Sequence, residues 1–202
     1  MPRNVADDVA RRREAAIAGH TGDAAAARRF LGDLSPAVRA TALGALARSG
    51  GLTADDLAAG LADPAATVRA RAAELCATRP GDTRPELAAV LADDDARVVE
   101  AAAWASGERV PPEPGIVAVL TTVVTAHDDP LCREAAVAAL GAIGDPAGLP
   151  AVLAATGDRP AVRRRAVLAL APFEGPDVDA AIEQALGDRD WQVRQAAEDV
   201  SR

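Results

Sequence analysis

The residue types that could do covalent or metal chemistry are few and scattered. The chain has two histidines, His20 and His127, which lie 107 residues apart, and two cysteines, Cys76 and Cys132. A zinc or iron site needs ligands a few residues apart or paired on one helix face, and no such spacing occurs. Two cysteines make no disulfide framework. Both fall in apolar helical patterns and read as small buried hydrophobes, not nucleophiles. Asp93-Asp94-Asp95 lacks the alternating acids and the glycine of a calcium loop, and reads as acid placed at a helix N-terminus. There is no nucleophile elbow, P-loop or dinucleotide fingerprint. The sequence therefore names no catalytic residue, no metal ligand and no cofactor.

What remains is the chemistry of recognition. All 22 basic residues are arginine, against 30 acids, and the net charge is −8. Only Phe30, Trp104, Phe173 and Trp191 are aromatic. Arg11, Arg12 and Arg13 form one short run, and Arg163, Arg164 and Arg165 another. Neither run has neighbouring aromatics on which bases could stack. An acidic chain repels a phosphate backbone, so nucleic acid is not the expected partner. No apolar stretch reaches the roughly 20 residues that span a bilayer, and the first residues carry charge where a signal peptide needs an apolar run. The expectation is a reduced, cytoplasmic protein. The absence of lysine beside 52 alanines suggests a GC-rich, bacterial coding bias.

These residues sit on a repeating frame. A short pattern of Asp, Val-Arg, Ala and Leu recurs six times, with its Val position at Val38, Val68, Val98, Cys132, Val162 and Val193. Successive offsets are 30, 30, 34, 30 and 31 residues. Within each copy, apolar residues fall at i, i+4 and i+7 or i+8, one face of a helix. Ser35-Pro36, Asp63-Pro64 and Asp129-Pro130 each place a capping residue before a proline suited to a first helical turn. Shorter amphipathic stretches at 53–62, 84–92, 114–126, 146–155 and 177–187 lie between, punctuated by Gly or Asp-Pro. Residues 4–18 read as an extra, polar helix. With 52 alanines and four aromatics, the core must be thin, with helix axes approaching to about 8 Å. The predicted fold is all-α, with about six helix pairs behind an N-terminal capping helix, and 1–202 reads as one domain. Its parts are a cap at 1–22, repeats at 23–106, a Pro-rich seam at 107–114 and repeats at 115–202.

The pattern Asp-x-x-x-x-Val-Arg-x-x-Ala with a following Leu resembles the HEAT repeat, in particular the short bacterial type named after phycobilisome lyases. The resemblance covers about 23–202 and implies a right-handed α-α superhelix whose second helices line a concave face. It also brings other functions into view. Phycobilisome-lyase-type repeats imply tetrapyrrole (bilin or haem) handling, for which aromatic walls are scarce here. HEAT-like glycosylases imply DNA binding, for which the face is too acidic. HEAT-repeat di-iron hydroxylases carry His-Glu pairs, and this sequence has no His-Glu dipeptide.

Two sets of residues stand out on this frame. The arginines of the repeat, Arg39, Arg69, Arg133, Arg163 and Arg194, read as a structural ladder to turn acids such as Asp33 and Asp63, in the same or the next repeat. In the third copy Val99 replaces the arginine, and Ala105 and Ser106 stand where a leucine belongs. The second set lies opposite the core, at +2, +3, +6 and +10 from each Val position. It begins with Thr41, Gly44 and Arg48, followed by Arg71, Glu74 and Thr78. Glu100, Trp104, Glu134, Arg164, Arg165, Leu168, Gln195 and Asp199 continue it. Trp104 has two readings: a binding hot spot ringed by charge, or a filler for the missing leucine. Trp191 reads as cover for the last turn. The sequence thus points to a non-catalytic protein-binding scaffold, monomeric, contacting its partner through Trp104, Glu74, Glu100, Glu134, Arg71, Arg164 and Arg165.

Overall fold

The structure is a computed structural model and describes residues 5–77 and 85–201. Among the described residues there are twelve α-helices and two 3-10 turns, and no strand. The chain divides into two compact units, Met1–Pro85 and Glu86–Arg202. The first holds 12 arginines against 10 acids, a net +2; the second holds 10 against 20, a net −10.

The first unit contains α1 (Val5–Thr21), α2 (Ala24–Arg28), α3 (Pro36–Arg48), α4 (Ala54–Leu61) and α5 (Ala66–Cys76). Helices α1, α3 and α5 pack in series, and α2 and α4 cover α3 and α5 from the other layer. The second unit contains α6 (Ala96–Gly107), α7 (Ile116–Ala126), α8 (Pro130–Ile143), α9 (Leu149–Ala155), α10 (Pro160–Ala169), α11 (Pro176–Leu186) and α12 (Trp191–Val200). There α6, α8, α10 and α12 pack in series, while α7, α9 and α11 form the second layer. Neighbours so packed bury each repeat's apolar stripe, as a repeat architecture requires.

The thin core follows from residue size. Val38, Ala42 and Leu46 are fully buried, as are Val162, Ala166 and Leu170. Where second helices cross, glycine meets alanine: a Cβ on Gly141 would stand 2.7 Å from the Ala169 Cα, and one on Gly107 2.8 Å from the Ala139 Cα. No side chain fits between backbones that close. In the third copy Val99 is fully buried and supplies apolar bulk, and the Ser106 hydroxyl donates to the Ala102 carbonyl at 2.7 Å.

Several local expectations change. The first helix runs to Thr21 and α3 starts at Pro36, but the Ser35 hydroxyl makes no cap bond. Asp33 accepts the Ser35 N–H instead, at 2.8 Å. Helix α5 begins at Ala66, so Pro64 lies outside it, and Asp63 accepts the Ala65 N–H at 2.8 Å. Asp129 does cap α8, through the Leu131 N–H. Of the stretch expected at 84–92, the described residues 85–92 form only a 3-10 turn at Val90–Ala92, and the Glu113 carboxylate takes the Leu87 and Ala88 N–H groups ahead of it at 2.8 and 3.1 Å. Arg109, 4% exposed, donates to Glu113 at 3.0 Å, and thus anchors the 107–114 segment inside the second unit. Residue 4, Thr78 and residue 84 lie outside the described residues. No described helix is long and apolar enough to cross a membrane.

Candidate functional site

Three consecutive arginines on a helix point about 100° apart, and the two runs separate accordingly. Arg163 turns to the helix turns. Its Nε and Nη2 donate to Asp188 at 2.9 and 2.8 Å, and its Nη1 to the Asp158 carbonyl at 2.9 Å. Arg133 does the same one repeat earlier, binding Asp158 at 2.7 and 2.8 Å and the His127 carbonyl at 2.8 Å. Arg39 binds Asp63 at 2.7 Å through two nitrogens and the Asp33 carbonyl at 2.8 Å. Arg69 donates to the Asp63 carbonyl at 3.0 Å, and Arg194 to the Asp188 carbonyl at 2.7 Å. Each of the first three arginines therefore holds the turn of its own repeat by a carbonyl and the turn of the following repeat by a carboxylate.

The electrostatics follow from those bonds. The Arg133 and Arg163 hydrogen bonds hold the Asp158 and Asp188 carboxyls below the usual carboxylate range, against the opposing effect of burial. For Asp63 burial is the larger influence and pushes upward. The Arg39 bond and the Ala65 N–H together outweigh it, and the net shift is downward. Asp158 and Asp188 are the turn acids of the next repeat for Arg133 and Arg163, and the sequence reading missed Arg11, whose Nε donates to Asp33 at 2.8 Å. The available signal was the spacing from arginine forward to aspartate, which is 22 to 25 residues for Arg11, Arg39, Arg133 and Arg163.

The opposite face is divided between the two units. In the first, the Arg71 Nη1 donates to Glu74 at 2.7 Å within α5. Arg71 also lies over Gly44 of α3, where a Cβ would come within 2.8 Å of its Nη2. In the second, Glu134 of α8 and Arg165 of α10 approach to 3.6 Å, while Glu100 is exposed on α6. Trp104 is 46% exposed, so its indole does not occupy the place of the missing leucine. Trp191 departs from the expectation of a covering role. It is 65% exposed at the first position of α12. With Arg164 and Leu168 of α10 and Gln195 of α12 it lines an open groove of about 300 Å³. Both tryptophans of the chain thus stand on second helices of the second unit, facing solvent.

Cys132, His127 and Asp95 are each engaged in bonds to the backbone. Cys132 is buried, donates to the Ala96 carbonyl at 3.2 Å, and has its thiol pushed up to about 11 by burial and by Asp129 and Glu100. The His127 Nδ1 accepts the Asp129 N–H at 3.1 Å. Asp95 caps α6 through the Arg97 N–H at 3.0 Å. Among the described residues, no group of three or more His, Cys, Asp or Glu is placed to hold a metal ion.

A family model described as HEAT repeats matches residues 85–161 and 117–200, together more than half of the chain. Comparison with curated proteins gave no match. Among solved structures, YibA of Escherichia coli is similar with a TM-score of 0.62 at 19% identity, over 85% of this chain and 67% of that one. Human deoxyhypusine hydroxylase in complex with glycerol gives 0.50 at 19% identity, over 95% and 77% of the two chains. A computationally designed armadillo repeat protein for modular peptide recognition gives 0.50 at 16% identity, over 99% and 94%. At these identities the likeness is one of fold.

Proposed function

The chain belongs to the HEAT-repeat family, and on that premise we propose that it is a non-catalytic protein-binding scaffold that engages its partner through the exposed face of its second helices. One observation carries the reading. The protein has four aromatic residues and leaves both tryptophans, Trp104 and Trp191, on that face at 46% and 65% exposure. Tryptophan is the side chain most enriched at binding hot spots, and a chain this poor in aromatics has every packing reason to bury it. In the second unit the same face carries the charges Glu100, Glu134, Arg164 and Arg165, and the first unit carries Arg71 and Glu74 on its own second helices. Charge placed this way selects partners and speeds encounter more than it adds affinity. The sharing of the fold by armadillo proteins designed for modular peptide recognition agrees with an extended peptide as the form of the ligand.

The test is selection of displayed peptides against the whole protein, followed by titration against Trp104→Ala, Trp191→Ala and Glu134→Arg. The proposal expects the selected peptides to lose about tenfold or more in affinity in Trp104→Ala, with thermal stability unchanged. Peptides that bind all three variants as well as the parent would move the binding surface off this face.

A further inference from the structure

The second-helix face of the first unit carries a charge pattern that the composition does not suggest. Arg12 of α1, Arg48 of α3 and Arg71 of α5 line one open groove of about 350 Å³, floored by Ala37, Ala40 and Thr41, and no carboxylate lines it. In a chain with 30 acids and 22 arginines, this is a local inversion of sign. The side chains of Arg12 and Arg48 form no ion pair among the described residues. Both are exposed, so their guanidinium donors are open to a ligand. Arg71 is different. Glu74 holds its Nη1 at 2.7 Å, and its Nη2 rests where Gly44 has no Cβ. It is therefore a positioned cation on the groove wall, with two free-standing cations beside it.

We propose that this groove binds an acidic peptide segment of a protein partner, whose carboxylates pair with Arg12 and Arg48 while its main chain lies on the Ala37–Thr41 floor. The inference rests on the scaffold reading and names the chemistry of one partner segment. A planar guanidinium fork matches a carboxylate in two parallel hydrogen bonds, and a floor of small residues lets an extended backbone come close. A nucleic acid fits less well. The lining offers no aromatic ring for a base to stack on, and a phosphate polymer meets a protein of net charge −8 along its length. A short acidic segment meets only the first unit, at net +2.

The experiment is fluorescence anisotropy at low salt on the full chain. The probes are a short labelled peptide of alternating Glu and Gly, its Gln-for-Glu counterpart, and a labelled oligothymidine. The proteins are the parent, the combined Arg12→Gln and Arg48→Gln variant, and Arg189→Gln as a control on the second unit. All three altered side chains are solvent-accessible, so the fold should survive, and circular dichroism checks it. The Glu peptide should bind the parent and the control alike and weaken about tenfold or more in the combined variant, while the Gln peptide should not bind. Failure of the Glu peptide to bind overturns the proposal, and so does binding unchanged in the combined variant. Preferential oligothymidine binding that is lost in that variant overturns it in favour of phosphate. Any of these results leaves the Trp104-dependent peptides untouched, so the groove and the scaffold reading fail separately.

Discussion

The Arg163–Asp188 rung is the place to measure what joins one repeat to the next. The guanidinium side chain is 9% exposed and the carboxylate 16%. Two charge-assisted bonds of 2.9 and 2.8 Å join them, and a third, at 2.9 Å, runs to the Asp158 carbonyl. Exposed ion pairs contribute about 0–1 kcal/mol, and breaking a fully buried one costs about 3–5 kcal/mol. This pair lies between those limits. Arg163→Met keeps the aliphatic stem and loses three bonds, and should cost about 2–3 kcal/mol; Asp188→Asn should cost about 1–2 kcal/mol. The coupling from the double-mutant cycle should be about 1.5 kcal/mol. The assay is urea unfolding of the four proteins, followed by circular dichroism and by Trp191 fluorescence, since Trp191 opens α12 and reports the repeat that the rung secures. The pH dependence has a definite sign. Arg163 holds the Asp188 carboxyl below its ordinary value. The coupling is therefore fully present above about pH 4, the unfolded value, and is lost as pH falls through the folded one. A coupling under about 0.5 kcal/mol at neutral pH would refute a structural role for the ladder. A coupling that persisted undiminished in strong acid would show that packing, not charge, holds the turns together.

Four further outcomes follow from the same geometry. Gly141→Ala should destabilise by about 1–3 kcal/mol because its Cβ meets the Ala169 backbone, whereas Gly32→Ala, with open space around it, should be near neutral in the same thermal melts. Thr53→Ala should cost about 1 kcal/mol by urea titration, since Thr53 and Asp56 form a reciprocal cap on α4. Cys132 should resist a thiol reagent at pH 8 in the native protein and react on unfolding, because burial raises its thiol to about 11; fast native labelling would contradict that burial. Trp104→Ala should leave thermal stability nearly unchanged, and native tryptophan emission should be red-shifted and readily quenched by acrylamide. A blue-shifted spectrum would instead place an indole in the core.

How far the sequence could be read depends on the range of each interaction. Val38, Ala42 and Leu46 declare their helix face because helical period and burial are local properties that repeat in every copy, and HEAT-type architecture follows from them. The ladder is half local. An arginine's bond to the carbonyl of its own turn spans five or six residues, but its carboxylate partner lies 24 or 25 residues on. Only the repeat period fixes that distance. Counting forward from arginine to aspartate would have chosen the next repeat over the same one and found the Arg11 rung. The departures occur where one polar group replaces another. Asp33 takes the N–H of Ser35, and Glu113, from beyond the next helix, takes the N–H groups of Leu87 and Ala88 ahead of the 3-10 turn at Val90–Ala92. The surface is least legible, because no periodic constraint acts on it. Helical phase puts Trp104 and Arg48 on the outer face but says nothing of their neighbours. Arg12 joins the groove only because α1 packs on α3, a contact between a capping helix and a repeat whose sequence it does not share. The residues proposed for recognition, Trp104 and Arg12, lie where the repeat is broken or capped, and those are the positions where the repeating pattern stops predicting.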